Sequence, residues 1–150
     1  MYKRILVPVD GSDTSKKALD AALQMARDSN GTVRIVHLVD ELAYLSGYDL
    51  YGGYSGELIK MMREAGSSIL KESLATAQAA GVAADTAILE KFGERLGETV
   101  AEATRQWKAD LVVVGTHGRR GVGRALLGSG AEQIIRLAPV PVLVVRGESA

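Results

Sequence analysis

The residue types best suited to chemistry are concentrated in one glycine-rich segment of the sequence. Residues 115–130 hold six of the chain's 17 glycines, three arginines and no acidic residue. Glycine allows backbone N–H groups to approach a ligand closely, and arginine forms charge-assisted hydrogen bonds to phosphate oxygens. A helix is predicted to begin at Ser129, where the first turn leaves N–H donors unpaired and carries a partial positive charge. The segment therefore predicts a site for a phosphate-bearing anion, with a glycine-rich turn on a solvated basic face as the alternative.

The spacing of the glycines excludes two common phosphate loops. Gly115 and Gly118 are separated by two residues, and nine residues separate Gly118 from Gly128, which Ser129 follows. A Walker A loop would need Gly-Lys-Ser/Thr after its glycines, and the dinucleotide fingerprint belongs in a much shorter strand-to-helix turn. The Ser129 hydroxyl can donate to a phosphate or cap its own helix, and His117 can hydrogen-bond to ribose or phosphate.

Asp10, directly after the first predicted strand, is the second candidate functional residue. Its carboxylate can accept hydrogen bonds from ribose hydroxyls, assist a Mg²⁺ bound to phosphates, or cap the first helix. Because only Asp10 or His117 could orient an attacking water, no catalytic residue is assigned and any hydrolysis of a bound phosphate compound is expected to be slow. His37 ends an apolar strand and is interpreted as a satisfied core or loop-anchoring residue. Two distant histidines are too few to predict a metal site made of protein ligands alone.

Short apolar runs alternate with amphipathic segments and would position these residues. Runs rich in Val, Ile and Leu predict five strands, at residues 5–9, 33–39, 82–89, 111–114 and 140–145. Helical periodicity between them predicts four helices, which begin near Ser12, Glu57, Leu96 and Ser129. Such alternation predicts a parallel sheet with helices on both faces and a ligand beyond the carboxyl ends of its strands.

Each predicted helix has an apolar stripe that is expected to face the sheet. In chain order the stripes are Ala18, Leu19, Ala22, Leu23 and Ala26; Leu58, Met62, Ala65 and Ile69; Leu96, Val100, Ala103 and Trp107; Ala131, Ile134, Ile135 and Ala138. Their spacing follows the 3.6-residue period of an α-helix that packs one face against a core.

Composition limits the class of protein. The 150 residues suit a single domain, 1–150, and equal numbers of basic and acidic residues, 18 each, remove the general basic excess of a nucleic-acid-binding protein. The lack of cysteine excludes disulfides and thiolate metal sites. No apolar run reaches the roughly 20 residues of a membrane span, and the N-terminus lacks a signal-peptide pattern, so we expect a cytoplasmic protein without a membrane partner. Residues 41–56, with four tyrosines and four glycines, are interpreted as a surface excursion, a lid or a subunit contact.

The glycine spacing resembles the ATP-binding signature of the UspA-like universal stress protein family, Gly-x2-Gly-x9-Gly-Ser/Thr. The segments KRILVPVDGS (residues 3–12), HLVD (residues 37–40) and APVPVLVV (residues 138–145) resemble the first, second and last strands of that family. The resemblance covers nearly the whole chain. It implies a Rossmann-like α/β fold, similar to the adenine nucleotide alpha hydrolases, with five parallel strands in the order 3-2-1-4-5.

The resemblance also implies which residues bind a nucleotide. Asp10 would hold the ribose or adenine region, and Leu38 would contact the adenine. With the three arginines of the basic loop, the candidate site is Pro8, Val9, Asp10, Leu38, Val114, Gly115, Thr116, His117, Gly118, Arg119, Arg120, Arg124, Gly128, Ser129 and Gly130. Gly130 departs from the family pattern, which more often has a small apolar residue there, and this glycine is expected to loosen the start of the helix.

The expected function is that of an ATP-binding stress-response sensor, with Mg²⁺ carried by the phosphates of the nucleotide. The alternatives are a regulator that binds AMP or cyclic AMP, and a slow ATPase or phosphotransferase. An apolar last strand at an uncovered sheet edge favours pairing with another chain. The family resemblance accordingly implies a homodimer through residues Val140 to Val145.

Overall fold

A computed structural model of the protein describes residues 1–40, 56–91, 96–116 and 129–147. Strands and helices alternate along these parts of the chain, as predicted. The strands are β1 (Arg4–Pro8), β2 (Thr32–Asp40), β3 (Ala83–Lys91), β4 (Leu111–Gly115) and β5 (Val142–Val145). The helices are α1 (Asp13–Ser29), α2 (Gly56–Ala79), α3 (Leu96–Trp107) and α4 (Ser129–Leu137).

The strands form one parallel sheet with the order β3-β2-β1-β4-β5. This confirms the predicted fold class and strand order. β1 pairs with β2 on one side, where Val7 lies opposite Ile35, and with β4 on the other, where Leu6 lies opposite Val112. β2 and β3 lie on one side of β1, and β4 and β5 lie on the other, so the strand order reverses between β1 and β4. In open α/β sheets a ligand binds at the carboxyl ends of strands at such a reversal.

The core consists of two layers, one on each face of the sheet. Ile5 and Val7 point to the face covered by α1 and α2, whereas Leu6 points to the face covered by α3 and α4. All three side chains are 0% exposed. Because β1 is buried on both faces, it is a continuous apolar run, which explains why the sequence shows no alternation there.

The predicted helix stripes are confirmed for α1 and only partly for two other helices. All five stripe residues of α1 are buried. In α2 the prediction is wrong at Ala65, which is exposed, while its neighbour Gly66 and the later Leu70 are buried. In α4, Ile135 is 41% exposed. None of the helices in the described parts of the chain is long and apolar enough to cross a bilayer.

Two arginines stack on the ring of Trp107 at the amino-terminal edge of the sheet. The guanidinium carbons of Arg4 and Arg34 lie 4.2 and 5.0 Å from the ring centroid of Trp107. Arg34 also forms a bidentate pair with Asp85, at 2.9 and 2.8 Å. That hydrogen-bonded pairing lowers the pKa of Asp85 and raises the pKa of Arg34. Trp107, predicted to lie in the core-facing stripe of α3, packs partly against the core and also stacks with two cations.

Candidate functional site

Asp10 lies in the turn that connects β1 to α1. Its Oδ1 accepts a hydrogen bond from the backbone N–H of Ser12 at 2.9 Å, and its own N–H donates to Oγ of Ser15 at 3.3 Å. Gly11 has a φ of +85°, a left-handed conformation that favours glycine. Ser12 is the N-cap of α1, and its Oγ accepts the N–H of Ser15 at 3.2 Å.

These contacts show how much of the Asp10 carboxylate is already in use. Of its three predicted roles, helix capping falls to Ser12 instead, and one carboxylate oxygen of Asp10 accepts the N–H of that residue. An ionised carboxylate offers about four lone-pair positions, so this contact leaves acceptor capacity for a ligand. Asp10 is only partly buried, which leaves it accessible from the carboxyl edge of the sheet.

The end of β4 lies beside this turn and carries a buried hydroxyl, on Thr116. The backbone N–H of Thr116 donates to the carbonyl of Val145 at 3.1 Å, which ties the end of β4 to β5. The Thr116 side chain is buried, with 2% of the residue exposed, and its Oγ1 has no hydrogen-bond partner among the described residues. An unsatisfied buried hydroxyl is costly, so this position favours a polar partner.

The first turn of α1 rests directly on the end of β4. A Cβ on Gly115 would lie 2.7 Å from Cγ2 of Thr14 and 3.0 Å from the Thr14 carbonyl oxygen. Any side chain at position 115 would therefore push α1 away from the sheet. Gly115 thus holds the turn that carries Asp10 against β4, in addition to its predicted place in the glycine signature. The sequence does not indicate this packing role, because Thr14 and Gly115 are distant in the chain.

The first turn of α4, which begins at Ser129, packs against the first turn of α3. The backbone N–H of Gly97 donates to Oε1 of Gln133 at 3.0 Å, so a side chain of α4 caps α3. A Cβ on Gly130 would lie 2.8 Å from Cδ2 of Leu96. Gly130 is predicted to loosen the start of the helix, but the Leu96 side chain occupies the space where a Cβ at position 130 would lie.

Apolar side chains and His37 complete the described part of the carboxyl edge. Val9 and Val114 are 5% and 6% exposed, Pro8 is partly buried, and Leu38 packs against the core layer of α3 and α4. Nδ1 of His37 lies 2.9 Å from the carbonyl oxygen of Val9. The loop-anchoring interpretation of His37 is therefore confirmed.

The structure brings only some of the predicted site residues together. Asp10 follows β1, and Gly115 and Thr116 end the neighbouring strand β4, so these residues share the carboxyl edge where strand order reverses. The other predicted residues His117, Gly118, Arg119, Arg120, Arg124 and Gly128 lie outside the described residues, as does most of the tyrosine-rich segment 41–56. Within residues 1–40, 56–91, 96–116 and 129–147, no group of three or more His, Asp or Glu side chains forms a metal site.

Comparisons with known proteins identify the family. Residues 1–146 match the model of the universal stress protein family. A universal stress protein of Methanocaldococcus jannaschii is 39% identical over 147 residues, which cover 97% of this chain and 83% of that protein. The crystal structure of a member of the same family from Burkholderia pseudomallei is 34% identical, with a TM-score of 0.79 and 96% of each chain covered. A universal stress protein solved in complex with cAMP is 27% identical, with a TM-score of 0.71 and 99% of each chain covered. On these grounds the chain belongs to the universal stress protein family.

Proposed function

We propose that this protein binds an adenine nucleotide at the carboxyl edge of β1 and β4 and acts as a nucleotide-dependent stress-response regulator. The observation that carries the proposal is the placement of Asp10 and the Gly115–Thr116 end of β4 at one carboxyl edge, at the reversal of strand order, together with a buried Thr116 hydroxyl that has no hydrogen-bond partner among the described residues. The related universal stress protein in complex with cAMP supports an adenine nucleotide as the class of ligand.

The residues present fit the chemistry of such a ligand. The apolar side chains Pro8, Val9, Leu38 and Val114 suit the faces of a purine base. The acceptor positions of Asp10 that no described residue occupies suit ribose hydroxyls, and the Thr116 hydroxyl can either donate or accept. Beyond the described residues, the sequence adds further groups for ribose and phosphates, namely His117, Gly118, Arg119, Arg120, Arg124 and Gly128. The N–H groups of Ser129 and Gly130, at the start of α4, favour an anion.

ATP, with Mg²⁺ bound through its phosphates, is the form that would use all three arginines of the basic loop. A regulator of AMP or cyclic AMP is the second candidate, favoured by the cAMP complex of the relative. We assign no catalytic residue, because apart from Asp10 and His117 the site offers no group that could orient a water. A slow ATPase or phosphotransferase activity is the remaining alternative, and it concerns the same site.

Calorimetric titration with ATP, ADP, AMP and cyclic AMP tests the proposal. The change Asp10→Ala is expected to weaken binding by about tenfold or more, since hydrogen bonds to a charged group contribute about 1.5–3 kcal/mol. Asp13→Ala is the matched control, because Asp13 carries the same charge three residues later and is exposed in α1. Unchanged affinity in Asp10→Ala, or the absence of binding to all four nucleotides, would overturn the proposed site.

Two further observations complete the test. Mass spectrometry of the purified protein identifies a nucleotide that copurifies and thereby ranks ATP against AMP and cyclic AMP. A phosphate-release assay measures hydrolysis, for which we expect much less than one turnover per second, below the ordinary range of dedicated enzymes. A turnover of several per second without a partner would assign the protein to the ATPase alternative.

We propose further that the protein is a single domain over residues 1–150, acts in the cytoplasm and forms a homodimer through the edge strand β5. The absence of cysteine from the sequence is compatible with a reducing compartment. β5 is the last strand of the sheet order, and Leu143 on it is 37% exposed. On the adjacent helix α4, Ile135 and Leu137 are 41% and 37% exposed. An edge strand with exposed apolar side chains favours pairing with a second copy.

A further inference from the structure

The peptide group between Val9 and Asp10 is held at both of its polar atoms. Its carbonyl oxygen, on Val9, accepts a hydrogen bond from Nδ1 of His37 at 2.9 Å. Its N–H, on Asp10, donates to Oγ of Ser15 at 3.3 Å. His37 belongs to β2 and Ser15 to α1, so two separate elements fix one peptide plane. Both bonds therefore hold the backbone from which the Asp10 side chain projects.

The hydrogen bond to Val9 also determines the tautomer of His37. A carbonyl oxygen can only accept, so Nδ1 of His37 carries a proton and, in the neutral ring, Nε2 does not. The far side of the ring faces α2. A Cβ on Gly66 would lie 2.6 Å from Cδ2 and 3.1 Å from Nε2 of His37. The imidazole therefore fills the space between the end of β1 and the backbone of α2.

This contact explains a glycine in the middle of a long helix. α2 spans 24 residues, and Gly66 is buried in its eleventh position, although glycine is among the poorest helix formers. No side chain at this position could coexist with the ring of His37 unless the ring or the helix moved. The contact between the His37 ring and Gly66 thus links α2 to the turn of Asp10.

We propose that His37 is a positioning residue for the nucleotide site. Together with Ser15 it fixes the Val9–Asp10 peptide, so that the Asp10 carboxylate is oriented before the ligand binds. Through Gly66 it makes this orientation depend on the position of α2. The inference rests on the proposed nucleotide site for its consequence in binding, whereas the orientation of Asp10 can be tested without any ligand.

The binding experiment compares three variants by calorimetric titration with AMP and ATP. His37→Leu removes the donor, and we expect about tenfold weaker binding, the effect of one lost positioning hydrogen bond. His37→Asn places an amide nitrogen at the position of Nδ1 and is expected to bind within threefold of the wild type. Ile88→Ala is the matched control, because Ile88 lies opposite His37 in the β2–β3 register and packs against the same core layer. It is expected to lower the unfolding midpoint without changing affinity.

Amide hydrogen exchange in the ligand-free protein supplies a measurement that does not depend on nucleotide. We expect exchange of the Asp10 and Ser12 amides to be about fivefold or more faster in His37→Leu, and close to wild type in His37→Asn and Ile88→Ala. Gly66→Ala gives a second route, because it displaces the ring while the histidine itself is retained. It is expected to have the same effect as His37→Leu.

The outcomes separate the two ideas. If the wild type binds no adenine nucleotide, the proposed function fails and the exchange measurement alone decides the inference. The positioning role of His37 would be overturned if the Asp10 and Ser12 amides exchanged at the wild-type rate in both His37→Leu and Gly66→Ala. Where the wild type binds nucleotide, it would also be overturned by wild-type affinity in His37→Leu, or by an equal loss of affinity in Ile88→Ala. Should His37→Leu fail to fold, Gly66→Ala and His37→Asn provide the same comparison.

Discussion

Two glycines at the contact between α3 and α4 should differ in how strongly the same substitution destabilises the protein. A Cβ at Gly97 would lie 2.6 Å from Cβ and 2.7 Å from the backbone carbonyl carbon of Gln133. Among the described residues, the one atom closer than 3.4 Å to a Cβ at Gly130 is Cδ2 of Leu96, at 2.8 Å, the far end of a flexible side chain. The obstacle at Gly97 includes backbone and can yield only if the two helices separate, whereas the obstacle at Gly130 can rotate away.

The expected magnitudes follow from these distances. An ordinary contact begins near 3.4 Å, so Gly97→Ala must displace α4 by roughly 0.8 Å. Overpacking of a core costs about 1–3 kcal/mol, and the gain in helix propensity from glycine to alanine offsets at most about 1 kcal/mol. We expect Gly97→Ala to lose about 1–2 kcal/mol of unfolding free energy. Gly130→Ala should stay within about 0.5 kcal/mol of the wild type, since a leucine rotamer change costs little more than alanine gains.

Urea unfolding followed by far-UV circular dichroism measures both variants, at one protein concentration because self-association shifts apparent stability. Thermal unfolding gives a second measure, with an expected fall of about 3–6 °C for Gly97→Ala in a chain of this size. The reasoning would be refuted by wild-type stability in Gly97→Ala. Equal losses in the two variants would refute it as well, since the difference between a rigid and a flexible obstacle is its central claim.

Three other predictions concern separate parts of the fold. The Arg34 guanidinium lowers the pKa of Asp85, so the stabilisation from this pair is present above the usual carboxylate pKa and is lost as the pH falls through the lowered value. The unfolding free energy from urea titrations should therefore fall less steeply with acid in Asp85→Asn than in the wild type. The difference should be under about 1 kcal/mol, because the Asp85 side chain is 55% exposed. Identical pH profiles would contradict this. Ser12→Ala removes the N-cap acceptor of α1 and should cost about 1 kcal/mol in urea unfolding, and a loss below about 0.3 kcal/mol would speak against the cap. Leu143→Lys places a charge on the exposed edge strand and should convert a dimer to a monomer in light scattering; a monomeric wild type would contradict the proposed dimer.

Local patterns in the sequence were sufficient to predict a parallel sheet with helices on both faces, whereas the strand order was implied by the family resemblance. The apolar runs of β1 and β4 are buried on both faces of the sheet, which is why they are uninterrupted and easily identified. The stripe of α1 is equally clear, because every apolar residue in it faces the core. The parallel alternation of strands and helices then placed Asp10 and Gly115 at the same edge.

The failures have a common physical cause, which is contact between residues distant in sequence. The predicted stripe of α2 includes Ala65 rather than Gly66, since nothing in the helix itself shows that an imidazole from β2 occupies the neighbouring space. Ile135 has the right spacing for the core, yet α4 lies at the rim of the sheet and leaves it partly exposed. In the same way, the contact of Thr14 with Gly115 has no local signal, although it fixes the geometry of the candidate site.

The position of the protein's single tryptophan has a spectroscopic consequence. Trp107 lies at the amino-terminal edge of the sheet, where its carbonyl accepts hydrogen bonds from Arg4, the first residue of β1. The proposed nucleotide site occupies the opposite edge, so a bound base cannot quench the indole by contact. Any change in its emission on addition of nucleotide would therefore report a movement transmitted through the body of the sheet or along α3. Trp107 is thus an intrinsic fluorophore that reports long-range conformational change and does not respond to nucleotide binding alone.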